Sequence, residues 1–432
     1  MNNVTAPKEY KLSTRSTYYI FALLFLLYFF DYVDRMIVTS LFPFIQKECG
    51  LTDTQSGLLV SMVYWSIVAF VLPVSILVDR WSRKKTIGIM AFLWSMATLA
   101  CAFTKTFPQL LMTRAAIGIG EAGYAPAGTA MLSGLFPEEK RSRMMGLWNM
   151  SIPLGTAVGI GLGGFIAAHW GWRHAFGVVA IPGAIVALLF FFVKDYKTVE
   201  LTKTDAACTT GPGKIKMGKM DIVWEFLRTP SLIFTNLGFI GCIFANNAIM
   251  VWLPTYFHRT TGIPMSEAGI KVSMLMILAI IGLPLGGWLA DMWFKKRASA
   301  RLLFPAITSI LNALVIFTAF TFLEGKTQYF TLLGMGVLAS AFAPAAIIAT
   351  QEVIHPGLRA ISYSVCVIVQ NLFGASLAPI AIGKISDLHG IEAAMSIVPV
   401  FLVISSLLFF AGSFFYKKDL DKVEKITLEC EN

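Results

Sequence analysis

The sequence has 432 residues, of which 56% are hydrophobic and 14% are charged, and its formal net charge is +10. This composition excludes a set of ordinary soluble domains and is typical of a chain that crosses a membrane many times. Basic residues stand in short clusters between apolar runs, so the positive charge indicates membrane topology and not a nucleic-acid partner. The six cysteines show no CxxC spacing, and neither a disulfide framework nor a zinc site is predicted.

Apolar runs predict twelve membrane-spanning helices, because about 20 largely apolar residues are needed to cross a bilayer. The first run follows three basic residues, but no small-residue cleavage site comes after it, so it is predicted to be a retained helix. In chain order the predicted helices cover 17–43, 55–78, 85–104, 107–136, 142–168, 173–194, 230–257, 268–291, 300–323, 328–353, 360–386 and 393–416.

The longest polar connection, 195–229, is predicted to be a cytoplasmic linker between two six-helix bundles. The N-terminal bundle covers 1–194, the C-terminal bundle covers 230–416, and a cytoplasmic tail follows at 417–432. Basic residues concentrate in the connections on the linker's side, so both termini are predicted to be cytoplasmic. We therefore expect a multi-pass protein of a bacterial inner membrane.

The two bundles repeat one another. The segment SILVDRWSRKK at 75–85 recurs 212 residues later as GWLADMWFKKR at 287–297. A parallel repeat of six helices predicts two bundles that face each other across a central cavity and rock to give alternating access.

These two segments resemble the loop signature G-x-L-a-D-R-x-G-R-[RK]-[RK] of the major facilitator superfamily, although Ser75, Ser82 and Phe294 replace usual glycines. The resemblance implies an all-α membrane protein with twelve transmembrane helices in the major facilitator fold. It also implies that the two loops act as a latch in gating. The alternative is that they are only basic loops that set the membrane topology. The gating candidates are Asp79, Arg80, Arg83, Asp291 and Lys295.

Within the superfamily, FFDYVDR (29–35), TRAAIGIGEAGYAP (113–126) and RSRMMGLWNMSIPLG (141–155) most resemble the spinster-like transporters. The anion:cation symporter family shares the Asp-Arg pair of helix 1 and the Arg and Glu of helix 4. Both families are similar in using the helix-1 Asp and the helix-4 Glu for proton coupling, with the helix-4 Arg between them. By position, the resemblance assigns these roles to the following residues: Asp34, Glu121 and Arg114.

Five ionisable residues lie within predicted helices 1 and 4, where each costs about 2.5 to 3.5 kcal/mol, so we expect them to face a cavity or each other. A rise of about 1.5 Å per residue places Asp34 and Arg114 at similar depths, which predicts that they pair, with Asp31 and Glu121 deeper. The carboxylates outnumber the cations, since Arg35 and Arg114 face three acidic side chains. One of the three proton-coupling candidates, Asp34, Glu121 and Asp31, can therefore bind and release a proton. A static ion network that fixes the two helices is the alternative.

The 212-residue offset places Asn246 and Asn247 where helix 1 has its Asp-Arg pair, and Leu333 where helix 4 has its glutamate. Proton chemistry is therefore predicted in the N-terminal half. Polar residues of the C-terminal half are predicted to contact substrate, with interhelical hydrogen bonding as the alternative for each. The substrate-binding candidates are Arg114, Arg35, Tyr124, Asn246, Asn247, Trp252, Gln370 and Asn371.

Two G-x-G-x-x-G matches, GIGEAG at 118–123 and GIGLGG at 159–164, lie inside predicted helices with no strand before them. They are predicted to allow close helix packing and not to bind a nucleotide. No H-E-x-x-H or G-x-S-x-G motif occurs, so no enzyme is predicted. Glu352 and His355 are interpreted as the solvated end of helix 10. One lopsided charge cluster in a repeat of six helices favours a carrier over a channel.

The sequence thus predicts a secondary active transporter that works by alternating access and uses protons as the coupling ion, with no other cofactor. The predicted substrate is a small organic anion, and a lysophospholipid or another amphiphile is the alternative. A small organic anion would pair with Arg114 and enter with protons. A lysophospholipid or another amphiphile, which the spinster resemblance implies, would use an apolar cavity and leave by proton exchange. The predicted partners are a small-molecule or lipid substrate and the bilayer, with no nucleic acid, and the protein is predicted to be a monomer.

Overall fold

The computed structural model describes residues 14–80, 83–136, 138–193, 224–355 and 358–423, and this part of the chain is almost entirely helical. Within it, nine helices are long and apolar enough to cross a membrane by length and composition. Three further helices, formed by the first, third and fourth predicted spans, fill the remaining positions of the twelve-helix arrangement.

We number the spanning helices α1 to α12 in chain order, counting interrupted helices once. The N-terminal half contains α1 (Thr14–Ile37), α2 (Asp53–Arg80), α3 (Arg83–Cys101), α4 (Phe107–Glu121 and Tyr124–Leu135), α5 (Glu138–Asn149 and Ser151–Trp170) and α6 (Trp172–Phe191). The C-terminal half contains α7 (Pro230–Thr261), α8 (Met265–Phe294), α9 (Ala300–Thr321), α10 (Gly325–Ala341 and Ala343–Glu352), α11 (Arg359–Val369 and Leu377–His389) and α12 (Ile391–Ser396 and Val398–Lys422).

Most helix ends lie within a few residues of the predicted ones, and two regions differ. The first helix ends at Ile37, because a 3₁₀ turn follows and Pro43 stands in the first turn of a new short helix, Phe42–Cys49. A π-helical turn, Gln370–Ala375, joins the two parts of α11. Only residues 224–229 of the predicted linker lie within the described part, with a helical turn at 224–227, and the predicted tail is described only as far as 423.

Glycines let the helices approach closely in both G-x-G-x-x-G segments. A Cβ atom on Gly118 of α4 would collide with the main-chain oxygen of Val63 on α2, and one on Gly159 of α5 would meet the main-chain oxygen of Val33 on α1 at 2.7 Å. Only a residue without a side chain fits at such distances. The prediction that these segments serve helix packing is therefore confirmed.

The two halves contact each other where α2 meets α11 and where α5 meets α8. A Cβ atom on Gly57 of α2 would collide with the main-chain oxygen of Pro379 on α11. The hydroxyl of Ser273 on α8 donates a hydrogen bond of 2.5 Å to the main-chain oxygen of Ala157 on α5. Both contacts lie toward one end of the bundle, which carries the connections 50–52 and 262–264 and which we call the outer end.

Ion pairs and helix capping join the halves at the outer end. The Arg259 guanidinium on α7 donates to both carboxylate oxygens of Asp53, at 2.7 and 2.6 Å. The Asp387 carboxylate on α11 accepts hydrogen bonds from the main-chain amides of Asp53 and Thr54, at 2.7 and 2.9 Å. A carboxylate at this position satisfies the free amides at the start of α2 and complements its dipole. The space between the two halves is thus closed at the outer end in this structure.

Candidate functional site

A buried cluster of charged side chains joins α1 to α4. The Arg35 guanidinium lies between two carboxylates, 3.0 Å from Asp31 Oδ2 and 2.8 Å from Glu121 Oε2. The three residues are buried, with at most 8% of any of them exposed. Asp31 and Arg35 are four residues apart and so lie on one face of α1, which brings both toward Glu121. This cluster confirms the expected similar depth of Asp31 and Glu121.

Two tyrosine rings cover the Arg35 guanidinium. The guanidinium carbon lies 4.7 Å from the ring centre of Tyr32 and 5.4 Å from the ring centre of Tyr64. Aromatic rings at such distances attract a cation, and the attraction strengthens where water is excluded. Arg35 is therefore held by two carboxylates and two rings.

The predicted pair of Asp34 and Arg114 is wrong. Arg114 instead donates to three main-chain oxygens, those of Leu59 at 3.1 Å, Asp34 at 3.2 Å and Arg35 at 3.1 Å. The Asp34 carboxylate accepts a hydrogen bond of 3.2 Å from the Thr98 hydroxyl on α3. Similar depth along two helices did not decide the contact, because main-chain oxygens can also accept hydrogen bonds from a guanidinium.

The described cluster leaves several polar atoms without a hydrogen-bond partner. They are Oδ1 of Asp34, Oε1 of Glu121 and Nε of Arg35, and all three are buried. Buried polar atoms in a purely structural network are nearly always paired, so unpaired atoms need an explanation. A proton that binds to either carboxylate oxygen would not have to break an existing hydrogen bond.

A cavity of about 230 Å³ lies between α5 of the N-terminal half and three helices of the C-terminal half. None of the described residues that line it is charged, and the polar ones are Thr156, Asn246 and Ser340. The remaining lining is formed by Ile152, Pro153, Ile243, Met250, Leu275, Met276, Ala279, Leu283, Met335, Gly336, Ala339, Phe342 and Ala343. The lining of the cavity is therefore mainly apolar, with few hydrogen-bonding groups.

Of the predicted substrate contacts, Asn246 and Asn247 lie closest to this cavity. The side-chain amide of Asn246 donates to the main-chain oxygen of Ala339 at 2.9 Å. Since that oxygen can only accept, the Asn246 amide group must face it, and Oδ1 is the atom that stays free to accept from a ligand. Asn247 does not line the cavity, and its Oδ1 accepts a hydrogen bond of 3.1 Å from the Tyr64 hydroxyl.

The remaining predicted substrate residues make structural contacts. The buried indole of Trp252 donates to the main-chain oxygen of Pro379 at 3.0 Å. The buried Tyr124 hydroxyl donates to the main-chain oxygen of Leu24. Gln370 and Asn371 lie in the π-helical turn of α11 and donate within α11, to Cys366 Sγ at 3.1 Å and to the Val367 main-chain oxygen at 2.9 Å. The structure does not bring these four side chains to the cavity.

The predicted gating residues are described in the C-terminal half alone, since the side chains of Asp79, Arg80 and Arg83 lie outside the described part. Asp291 at the end of α8 pairs with Arg301 of α9, whereas Lys295 is exposed. These partners were not predicted.

Glu352 belongs to the same cluster at the end of the C-terminal half. Its Oε2 lies 3.4 Å from Arg301 Nε and accepts a hydrogen bond of 2.5 Å from the Tyr416 hydroxyl. The interpretation of Glu352 as a solvated helix end is therefore incomplete. The one sequence signal for this cluster was the lone arginine at the start of an apolar helix.

Comparisons with known proteins identify the family of this chain. A family model described as Major Facilitator Superfamily matches residues 24–379. Protein spinster homolog 1 from Xenopus laevis is 28% identical over 96% of this chain and 84% of its own length. The hexuronate transporter of Bacillus subtilis is 29% identical over 67% of this chain and 68% of its own length.

Among solved structures, a bacterial homolog of the human lysosomal transporter Spinster, in an inward-facing and unoccupied conformation, superposes with a TM-score of 0.81. It is 22% identical, and the match covers 94% of this chain and 99% of that chain. At this identity the likeness shows the fold alone.

Proposed function

Because this chain belongs to the major facilitator superfamily and is a transporter, not an enzyme, we propose that it is a proton-coupled carrier of an amphiphile. The predicted resemblance to spinster-like proteins is confirmed, as is the predicted major facilitator fold. The observation that carries the proposal is the separation of two sites. Buried charged side chains lie in the N-terminal half, and the cavity that faces the C-terminal half is apolar.

The positions of the two arginines argue against a small organic anion as substrate. Arg114 donates to three main-chain oxygens, and Arg35 is held by Asp31 and Glu121. An anion that bound the Arg35 guanidinium would leave the buried carboxylate of Asp31 or Glu121 unpaired, at about 1 to 3 kcal/mol. This cost favours the amphiphile over the anion, although the hexuronate transporter is among the relatives.

The cavity suits a hydrocarbon chain. Three of its walls carry methionines, Met250, Met276 and Met335, whose unbranched side chains adapt to flexible ligands. Each CH₂ group that moves from water into such a space contributes about 0.8 kcal/mol. Oδ1 of Asn246 can accept one hydrogen bond from a hydroxyl or amine near the chain. The apolar lining supports an amphiphile such as a lysophospholipid as the substrate class, with the cavity contacting part of its hydrocarbon chain.

The charged cluster supplies the coupling in this proposal. A proton that binds to Oε1 of Glu121 neutralises one of the two carboxylates that hold Arg35, so the guanidinium then pairs with Asp31 alone. Asp34, with its free Oδ1, is a second place for a proton. We further propose that both termini lie in the cytoplasm of a bacterial cell, because the basic clusters flank the helices on that side.

A flux assay in proteoliposomes tests the proposed function. Lysophosphatidylcholine, kept below its micelle concentration, and glucuronate are added separately while a trapped pH-sensitive dye reports proton movement. We expect saturable proton flux with lysophosphatidylcholine and none with glucuronate, with Asp34→Asn as a proton-defective control. Saturable flux with glucuronate alone would refute the amphiphile and restore the anion.

A further inference from the structure

One hydrogen bond joins the two halves beside the charged cluster. The hydroxyl of Tyr64, on α2, donates to Oδ1 of Asn247, on α7, at 3.1 Å. Both residues are nearly buried, with 5% of Tyr64 and 8% of Asn247 exposed. Both also stand near the middle of long helices, Asp53–Arg80 and Pro230–Thr261. A polar bond buried there is well shielded from water.

On the N-terminal side this bond reaches the proton site. The Tyr64 ring centre lies 5.4 Å from the guanidinium carbon of Arg35, which pairs with Asp31 and Glu121. The position of the ring therefore affects how Arg35 is shared between the two carboxylates, because the ring attracts the same cation.

On the C-terminal side the bond reaches the wall of the cavity. Asn247 Nδ2 donates to the main-chain oxygen of Ile243 at 3.2 Å, and Ile243 lines the cavity. The preceding residue, Asn246, lines it as well. A ligand that moves this turn of α7 must also move the acceptor of the Tyr64 hydrogen bond.

We propose that the Tyr64–Asn247 hydrogen bond couples occupancy of the apolar cavity to the proton state of the Asp31, Arg35 and Glu121 cluster. Tyr64 and Asn247 are positioning residues in this proposal and touch neither the proton nor the substrate. The inference rests on the proposed function. Coupling between two sites is reciprocal. If bound substrate changes the proton affinity of the cluster by a given factor, protonation of the cluster must change the substrate affinity by the same factor. Without the hydrogen bond, that dependence should shrink while both sites remain.

The test measures the Kd of lysophosphatidylcholine at acidic and at neutral pH for the protein in lipid nanodiscs. In the unmodified protein we expect the two Kd values to differ about tenfold, within the usual range of coupling between sites. Tyr64→Phe removes the donor and keeps the ring over Arg35, and Asn247→Leu removes the acceptor. In each variant we expect the ratio of Kd values to fall to about twofold, and in the double variant to fall no further.

The control is Ser376→Ala, which removes a different hydrogen bond between the two halves, from Trp65 Nε1 on α2 to Ser376 Oγ on α11 at 3.0 Å. Trp65 follows Tyr64 in the chain, but this bond contacts neither Arg35 nor the cavity, so the tenfold ratio should remain. If Tyr64→Phe does not fold, Asn247→Leu reports the same loss from the other half. A full tenfold ratio in either variant would overturn the inference while leaving the proposed function intact. A ratio of one in the unmodified protein would refute proton coupling itself.

Discussion

The 212-residue repeat relates α1 and α4 of the N-terminal half to α7 and α10 of the C-terminal half. In the first, Arg35 joins Asp31 to Glu121. In the second, Asn246 donates to a main-chain oxygen of α10 and borders an apolar cavity. The two halves thus share one helix order, whereas the charged cluster lies in the N-terminal half and the apolar cavity is lined mainly by the C-terminal half. In the proposed function, this division gives protons and an apolar substrate separate binding places.

Arg114 provides the largest expected effect, and it tests which contacts stabilise the N-terminal half. Arg114→Met removes three hydrogen bonds that a buried guanidinium donates to main-chain oxygens, each contributing about 0.5 to 1.5 kcal/mol. We expect the thermal midpoint of the detergent-solubilised protein to fall by at least about 5 °C. The measurement is thermal unfolding followed by intrinsic fluorescence.

The matched variant in the C-terminal half is Ser340→Ala, which removes one hydroxyl whose main acceptor is the main-chain oxygen of Ala279 at 2.8 Å, with that of Val337 at 3.5 Å. We expect its midpoint to fall by only about 1 to 3 °C, since one net hydrogen bond contributes about 0.5 to 1.5 kcal/mol. A normal midpoint for Arg114→Met, together with loss of glucuronate binding, would show that Arg114 is a substrate residue after all.

The sequence predicted the helices well because apolar length and proline position act locally. It predicted which residues of α1 and α4 are buried, but not their partners. Arg114 was expected to bind Asp34, whereas main-chain oxygens, which no sequence pattern marks, compete for the same donor. Tyr64 was missed for a related reason, since its partner Asn247 is 183 residues away in the chain. Contacts between the halves depend on helix rotation, which apolar periodicity does not determine in a helix buried on several sides.

Glu121 tests whether the charged half carries the protons. Glu121→Gln keeps an oxygen that can accept from Arg35 but cannot bind and release a proton. We expect the variant to exchange lysophosphatidylcholine across proteoliposome membranes but to lose accumulation driven by a pH gradient. Radiolabelled substrate measures both activities.

The control lies at the equivalent place of the other half, where Leu333→Gln adds an amide without a charge and should leave accumulation in place. If Glu121→Gln still accumulates substrate with an unchanged pH profile, the cluster is a static ion network.

Met250 provides the smallest expected effect, because it tests one wall of the apolar cavity without touching the charged cluster. Met250→Ala removes part of the surface that a hydrocarbon chain would contact, at about 1 kcal/mol for a half-buried side chain, so we expect Kd to rise about fivefold. The enlarged space should also favour longer chains. Across lysophosphatidylcholines of increasing chain length, the tightest-binding member should therefore shift to a longer chain in Met250→Ala. The control is Met112→Ala on α4, a residue that is 72% exposed and does not line the cavity, and its chain-length profile should match that of the unmodified protein. If affinity does not depend on chain length in the unmodified protein, the cavity does not hold the chain, and the division between a charged half and an apolar half has no role in substrate choice.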